Sequence, residues 1–275
     1  MKTIKSNLEN ISEIPDIQDL VDTRCIPINR VGVHNVRFPI TILDKNNNIQ
    51  HTIANWTMTV SLPANKKGTH MSRFLVLLEK FKGKLMNLSS FSEMNADMLY
   101  LLNSENGDIS ASFPFFLEKK APVSNVASLM NYDVQINIST CNNKTELEIV
   151  ITVPVTSLCP CSKAISEYGA HNQRSNITLS VTSNKILSLH IEDLINLVEK
   201  EASCELWSIL KRPDEKYVTE YAYNNPKFVE DLVRDLAFRI DTVFPNISKY
   251  RIEAENFESI HNHSAYAVIE KTINN

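Results

Sequence analysis

Two stretches near the start of the chain alternate apolar and polar residues. VGVHNVRFPITILD (31–44) and IQHTIANWTMTVSL (49–62) are rich in Val, Ile, Thr and aromatics, and KNNN (45–48) between them has turn composition. Together they predict a β-hairpin. The period then becomes helical over 70–84 and 91–103, and 111–117 and 133–140 read as strands. After residue 141 the pattern restarts. Strands are predicted at 145–155 and 174–183, the second with clean alternation at Ile177, Leu179 and Val181. A long helix is predicted over 191–210, with Pro213 beyond it, and a second helix from Asn225-Pro226 to about Val243. Strands at 249–257 and 265–271 close the chain.

Each half therefore spells β-β-α-α-β-β, which argues an α+β fold of antiparallel sheet with segregated helices. The expected division is an arm at 1–30, a first module at 31–142 and a second at 143–275. A single irregular α+β domain is the alternative. Four strands per module leave sheet edges that need covering, which favours an oligomer.

Composition removes several function classes. Lys+Arg 28 against Asp+Glu 32 gives a net charge of −4, unlike a nucleic-acid coat or a polybasic membrane binder. Glycine occurs five times in 275 residues, never two close together, so no Walker loop or GxGxxG turn exists. No apolar run suggests a signal peptide or a membrane span. Five cysteines are too few and too scattered for a disulfide scaffold, and a reducing cytoplasm is the expected setting.

Candidate chemistry concentrates in TSLCPCSKAISEYGAHNQRS (156–175), a connection between strands too long for a simple turn. It holds Cys159, Cys161, His171 and Arg174; thiolate and imidazole are zinc-type ligands. Two buried cysteines and a surface histidine are the plain alternative. If the helix over 191–210 turns by about 100° per residue, Glu205 falls inside the stripe of Ile191, Leu194, Ile195, Val198 and Leu206, and Cys204 falls off it. A carboxylate on a buried face needs a partner or a metal. Cys159, His171 and Glu205 would make three ligands with an open position, the pattern of catalytic rather than structural zinc. Arg73, Arg174, Lys211, Arg212 and Lys216 are basic groups that together suit a polyphosphate. NFESIHNHSAY (256–266) places Glu258, His261 and His263 between two strands, the histidines being candidate proton carriers.

TSLCPCSKAISEYGAHNQRS, ASCELWSILKRPDEKYVTE, NPKFVEDLVRD and NFESIHNHSAYAVIE, with VGVHNVRFPI and KGTHMSRF upstream, resemble the type IB GTP cyclohydrolase I family from about residue 14 onward. The resemblance implies a tunnelling fold of two tandem modules assembled as a homotetramer. It implies hydrolytic opening of the GTP imidazole ring, loss of formate and formation of 7,8-dihydroneopterin triphosphate, the first step toward tetrahydrofolate. It also implies one zinc or manganese ion at Cys159, His171 and Glu205, and a functional glutamate at Glu220. Within that scheme His261, with His263 as second choice, moves protons at the ring nitrogens. Glu258 is expected to grip the guanine edge, and Arg174, Arg73 and Lys67 are expected at the triphosphate. Competing expectations are the NADPH-dependent nitrile reductase on the same fold, whose Glu-Ser/Leu-Lys-Ser/Ala run is absent, and a zinc-stabilised binding module with Cys161 as fourth ligand.

Overall fold

A computed structural model describes residues 17–183 and 189–273; the first sixteen residues of the expected arm lie outside that range. The predicted hairpin is β1 (Ile28–Leu43) and β2 (Ile49–Leu62), antiparallel to the end, with Leu43 opposite Ile49. α1 (Met71–Phe81), the two-residue β3 (Leu85–Met86) and α2 (Leu88–Leu102) follow. β3 runs parallel to β1 through Thr41 and Ile42 and has no strong signal in the sequence. Asn87 caps α2, accepting from the Ser90 backbone N–H, which marks that start more sharply than periodicity does. β4 (Gly107–Lys120), β5 (Ala127–Cys141), β6 (Lys144–Leu158) and β7 (Asn172–Ser183) are each longer than the sequence pattern predicts. After them come α4 (Ile191–Glu201), α5 (Arg212–Asn224), α6 (Val229–Val243), β8 (Ile247–Asn256) and β9 (Ala265–Thr272).

All nine strands join one sheet in the order β3-β1-β2-β4-β5-β6-β7-β8-β9, antiparallel except at β3. Alternation sets its two faces. Ala54, Trp56 and Met58 of β2 and Ile149, Ile151 and Val153 of β6 are buried, as are Phe74 of α1, Phe91 of α2, Leu194 of α4 and Leu236 of α6. The opposite face carries polar side chains that bond strand to strand, such as Gln135, Asn137, Glu148 and Ser180. Among the described residues no helix is long and apolar enough to cross a membrane.

The sheet opens between β5 and β6, as it does between β2 and β4 beyond Asn55 and Ser112. β6 pairs with β5 only as far as Thr152, while β5 stays with β4 out to Ala127. Residues 202–211 fill the resulting gap. Cys204 exchanges backbone hydrogen bonds with Thr156 at 2.8 and 3.3 Å, Trp207 Nε1 donates to Lys120 O at 3.0 Å, and Ser208 Oγ donates to Leu129 O at 2.6 Å.

This corrects the helix predicted over 191–210. α4 stops at Glu201, and Ala202 is extended. Ser203 Oγ takes the Leu158 N–H, and Asn225 Nδ2 donates to the carbonyls of Ala202 and Ser203. Hydrogen bonds from distant elements hold this segment extended where an apolar helical period alone would continue the helix. The final helix also starts later than Asn225-Pro226, at Val229, and the basic run at 211–216 opens α5, which has no apolar stripe to announce it.

Candidate active site

β6 and β7 reach one end of the sheet with Leu158 opposite Asn172, and the connection between them, 159–171, stands beyond that edge. α3 (Pro160–Ile165) forms inside it, with Cys159 as N-cap: Cys159 Sγ accepts the Ser162 N–H at 3.4 Å, and Pro160 sits in the first turn. Ser162 Oγ bonds both to Cys159 O and to the His171 N–H, each at 3.2 Å, and Cys159 N–H donates to His171 O. The two ends of the connection are thus tied together. Gly169, at φ +138°, lies in a region of backbone space that side chains disfavour.

A pocket of about 260 Å³ opens there, lined among others by Cys159, Cys161, His171, Glu230, Glu258 and His261. Of the residues predicted for the site, Cys159, His171, Glu258 and His261 therefore come together. His171 Nδ1 lies 3.0 Å from Gln173 Oε1, 3.5 Å from Ser259 Oγ and 3.8 Å from Glu258 Oε2. That Glu258 oxygen is buried with no hydrogen-bond partner. His263 stacks on His261 with ring centres 5.1 Å apart, so it adjoins the pocket without lining it.

The other predicted residues lie elsewhere in the chain. Glu205 lines a neighbouring cavity with Thr156 and Trp207, and its carboxylate pairs with Lys119. Lys119 also bonds Glu199 at 2.9 Å and sits 4.7 Å from the Trp207 ring centre. Glu199 accepts from Tyr132 OH at 2.7 Å; burial pushes its carboxyl pKa up, and Lys119 only partly offsets this. Glu205 does not share the apolar stripe of α4, because the helix ends at Glu201. Glu220 is exposed on α5, 3.8 Å from Lys216. Arg174 alternates with the buried Gln173 and Ser175, so its side chain leaves the opposite face of β7. Arg73 donates to Leu101 O at 3.1 Å in the first half, and Lys67 is exposed near α1. Cys204, expected not to be a ligand, is buried, and burial pushes its thiol pKa up to about 11.

Among the described residues, no three His, Cys, Asp or Glu side chains converge closely enough to hold a metal ion. Cys159 and His171 do supply a thiol and an imidazole to one pocket, beside an unpartnered buried carboxylate oxygen. That donor chemistry fits a zinc-type ion at two positions. Within one chain Glu205 does not complete the set.

Sequence reasoning missed Glu230, Gln173, Ser157 and Asn256, which also line the pocket. Glu230 had a usable signal, as an acidic residue in the first turn of α6. The other three are polar residues ending rows that alternate as apolar strands.

The sheet and helix arrangement is that of tunnelling-fold proteins. The uricase from Arthrobacter globiformis superposes with a TM-score of 0.50 at 11% identity, covering 90% of this chain and 93% of that one. A urate oxidase from Bacillus sp. TB-90 gives 0.51 at 10% identity, covering 90% and 100%. At such identities the likeness concerns the fold alone. Sequence is more specific. The family model described as type I GTP cyclohydrolase FolE2 matches residues 14–267. The GTP cyclohydrolase FolE2 of Bordetella petrii is 59% identical over 257 residues, 94% of this chain and 96% of that protein. That of Dechloromonas aromatica, named GTP cyclohydrolase FolE2 2, is 54% identical, with 94% of each covered. The chain belongs to the type I GTP cyclohydrolase FolE2 family.

Proposed function

We propose that the Cys159–His171 pocket is where this GTP cyclohydrolase opens the imidazole ring of GTP, releasing formate and yielding 7,8-dihydroneopterin triphosphate. The observation that carries the assignment is convergence. Cys159 and His171 from the β6–β7 connection and Glu258 and His261 from the β8–β9 connection meet in one pocket, where a buried carboxylate oxygen lacks a hydrogen-bond partner. The motifs Cys-Pro-Cys and Asn-Phe-Glu-Ser-Ile-His support reading this FolE2 chain as a type IB enzyme.

A divalent ion, zinc or manganese, held through Cys159 and His171 would supply Lewis acidity beside the purine. The chain's own groups do the rest. Glu258 accepts an N–H of the guanine edge with its free oxygen, and Glu230 offers a second acceptor in the same pocket. His261 carries protons to and from the ring nitrogens as the bond to carbon 8 breaks, with His263 stacked behind it. The buried floor keeps bulk water away from the opened ring.

The triphosphate needs several cations, and among the described residues lining the pocket the one lysine, Lys227, is already paired with Asp235 at 2.9 Å and Glu201 at 3.5 Å. We assign the triphosphate to Lys67, Arg73 and Arg174 of neighbouring copies, with Glu220 near the same boundary, in a homotetramer of tandem modules. Two features support this. Among the described residues, β1 is paired on its outer side only at Thr41 and Ile42, and β9 ends the sheet, so both edges offer backbone groups for pairing. Apolar side chains also stand exposed on segments flanking the pocket: Ile165, Tyr168, Phe228, Phe257 and Ile260.

Incubation with GTP, following formate and the pteridine product, tests the activity. Oxidation of NADPH with a nitrile substrate and no formate would sink it. Mixing Cys159→Ala protein with Lys67→Ala protein tests the shared site. Mixed assemblies should recover part of the wild-type rate, and no recovery would place each complete site within one chain.

A further inference from the structure

We propose that Gln173, held by Ser157 and Asn256, is a positioning residue that fixes the tautomer of His171, with the proton on Nδ1 and the lone pair on Nε2. The inference rests on His171 working in the pocket as described above.

Three strands carry the argument. On β6 the helix-facing row reads Ile149, Ile151, Val153, Val155 and then Ser157; on β7 it reads Val181, Leu179, Ile177 and then Ser175 and Gln173. On β8 it reads Ile252, Ala254 and then Asn256. Each row turns polar at the pocket end, yet Ser157, Gln173 and Asn256 are 4%, 8% and 4% exposed. Burying polar side chains is costly unless they bond one another. They do. Asn256 Nδ2 donates to Ser157 Oγ at 3.1 Å, and Gln173 Nε2 donates to the same oxygen at 3.3 Å. The Gln173 amide nitrogen being committed to Ser157, its carbonyl oxygen faces His171 Nδ1 at 3.0 Å.

A carbonyl oxygen only accepts, so the ring nitrogen opposite it must donate. The carboxylate of Glu258, 3.8 Å from the same nitrogen, favours the same assignment. Nε2, which makes no hydrogen bond among the described residues, keeps its lone pair for an ion or a proton. The reverse tautomer would present an N–H there and could do neither. A hydrogen bond to the second nitrogen of a working histidine commonly sets both its orientation and its basicity.

The test is nitrogen-15 spectroscopy of metal-free protein labelled on the histidine rings, at about pH 8 where free imidazole is neutral. The His171 signals are identified by their loss in His171→Ala. The wild-type ring should show the proton on Nδ1. Gln173→Met keeps the length but removes the acceptor, so the Nε2–H form should appear. Its kcat for formate release should fall by roughly 10–100-fold with KM for GTP little changed. Gln173→Glu restores an acceptor and should retain the Nδ1–H form and most of the rate. An Nε2–H ring in the wild type, which depends on no variant folding, overturns the inference. So does a Gln173→Met protein that keeps both the tautomer and full kcat. Full activity in His171→Ala would instead sink the role given to the pocket, whatever the tautomer.

Discussion

Two connections stand at the same end of the sheet, opposite the turn between β5 and β6: residues 121–126 join β4 to β5, and residues 159–171 join β6 to β7. They occupy the corresponding place in each pair of strands, and they treat buried carboxylates in opposite ways. Beside the first, Asp214 is fully buried and accepts from Val123 N–H, Ser124 N–H, Ser124 Oγ and Lys211 N–H, all within 2.8 Å. Burial alone would raise its pKa. The hydrogen bond from the Ser124 side chain and those from the Ser124, Lys211 and Val123 backbone outweigh that and hold it well below the usual carboxylate range. Beside the second, Glu258 keeps a buried oxygen with no donor at all. The satisfied carboxylate anchors a loop to a helix. The unsatisfied one marks where a partner from outside the chain belongs.

The sharpest way to break this contrast is to remove the reactive groups of the long connection. Cys159→Ala and His171→Ala should each lower formate release by on the order of 10³-fold, the scale of losing a catalytic group. Far-UV circular dichroism should stay that of the wild type, because the connection lies outside the sheet. Activity that survives in Cys159→Ala would remove the thiol from the site.

Glu258→Gln comes next. It keeps size and an acceptor but removes the charge that makes a hydrogen bond to the purine strong, so kcat/KM for GTP should drop by roughly 10–100-fold. A drop no larger than that of Glu79→Gln, an exposed substitution on α1, would show that the buried oxygen is not where the substrate is held.

Asp214→Asn tests the other side of the comparison and should act on stability, not chemistry. An amide cannot accept from all four donors, so the melting temperature should fall by about 5 °C with formate release nearly unchanged at a permissive temperature. The pH dependence has a definite sign. The folded pKa is depressed, so this stabilisation is complete above the ordinary carboxylate pKa near 4 and fades as pH falls below it. Melting curves taken from about pH 6 down to about pH 3 should show that acid-dependent loss in the wild type and less of it in Asp214→Asn. Parallel curves would mean that Asp214 is not the clamp.

The same contrast explains what the sequence revealed. Strands and helices with a clear period, such as β2 and α1, could be read because one face of each meets the core along its whole length. Cys159, His171, Glu258 and His261 were legible as chemistry because their types are rarely gathered by packing alone. Residues 202–211 were misread because apolar positions at helical spacing there serve a gap in the sheet, and the hydrogen bonds that hold them come from Thr156, Lys120 and Leu129, far away in sequence. Gln173, Ser157 and Asn256 stayed hidden because one polar residue at the end of an alternating strand looks like ordinary fraying. Only the register of β6, β7 and β8 brings the three together.

The smallest expected effect belongs to Cys161. It lines the same pocket as Cys159, but it is exposed in the first turn of α3, while Cys159 is half-buried and caps that helix with its sulfur. A thiol that contributes no buried contact and closes no set of donors should be replaceable. Cys161→Ser is expected to keep its bound metal and to change the rate by no more than about twofold, the range of ordinary surface substitutions. Cys159→Ser, by contrast, should lose both metal and activity. The measurement is metal content by elemental analysis alongside formate release for the two variants. Equal and complete metal loss in both would point to a closed site with both sulfurs as ligands, the structural rather than catalytic arrangement. The long connection would then resemble the short one, as a means of holding the fold.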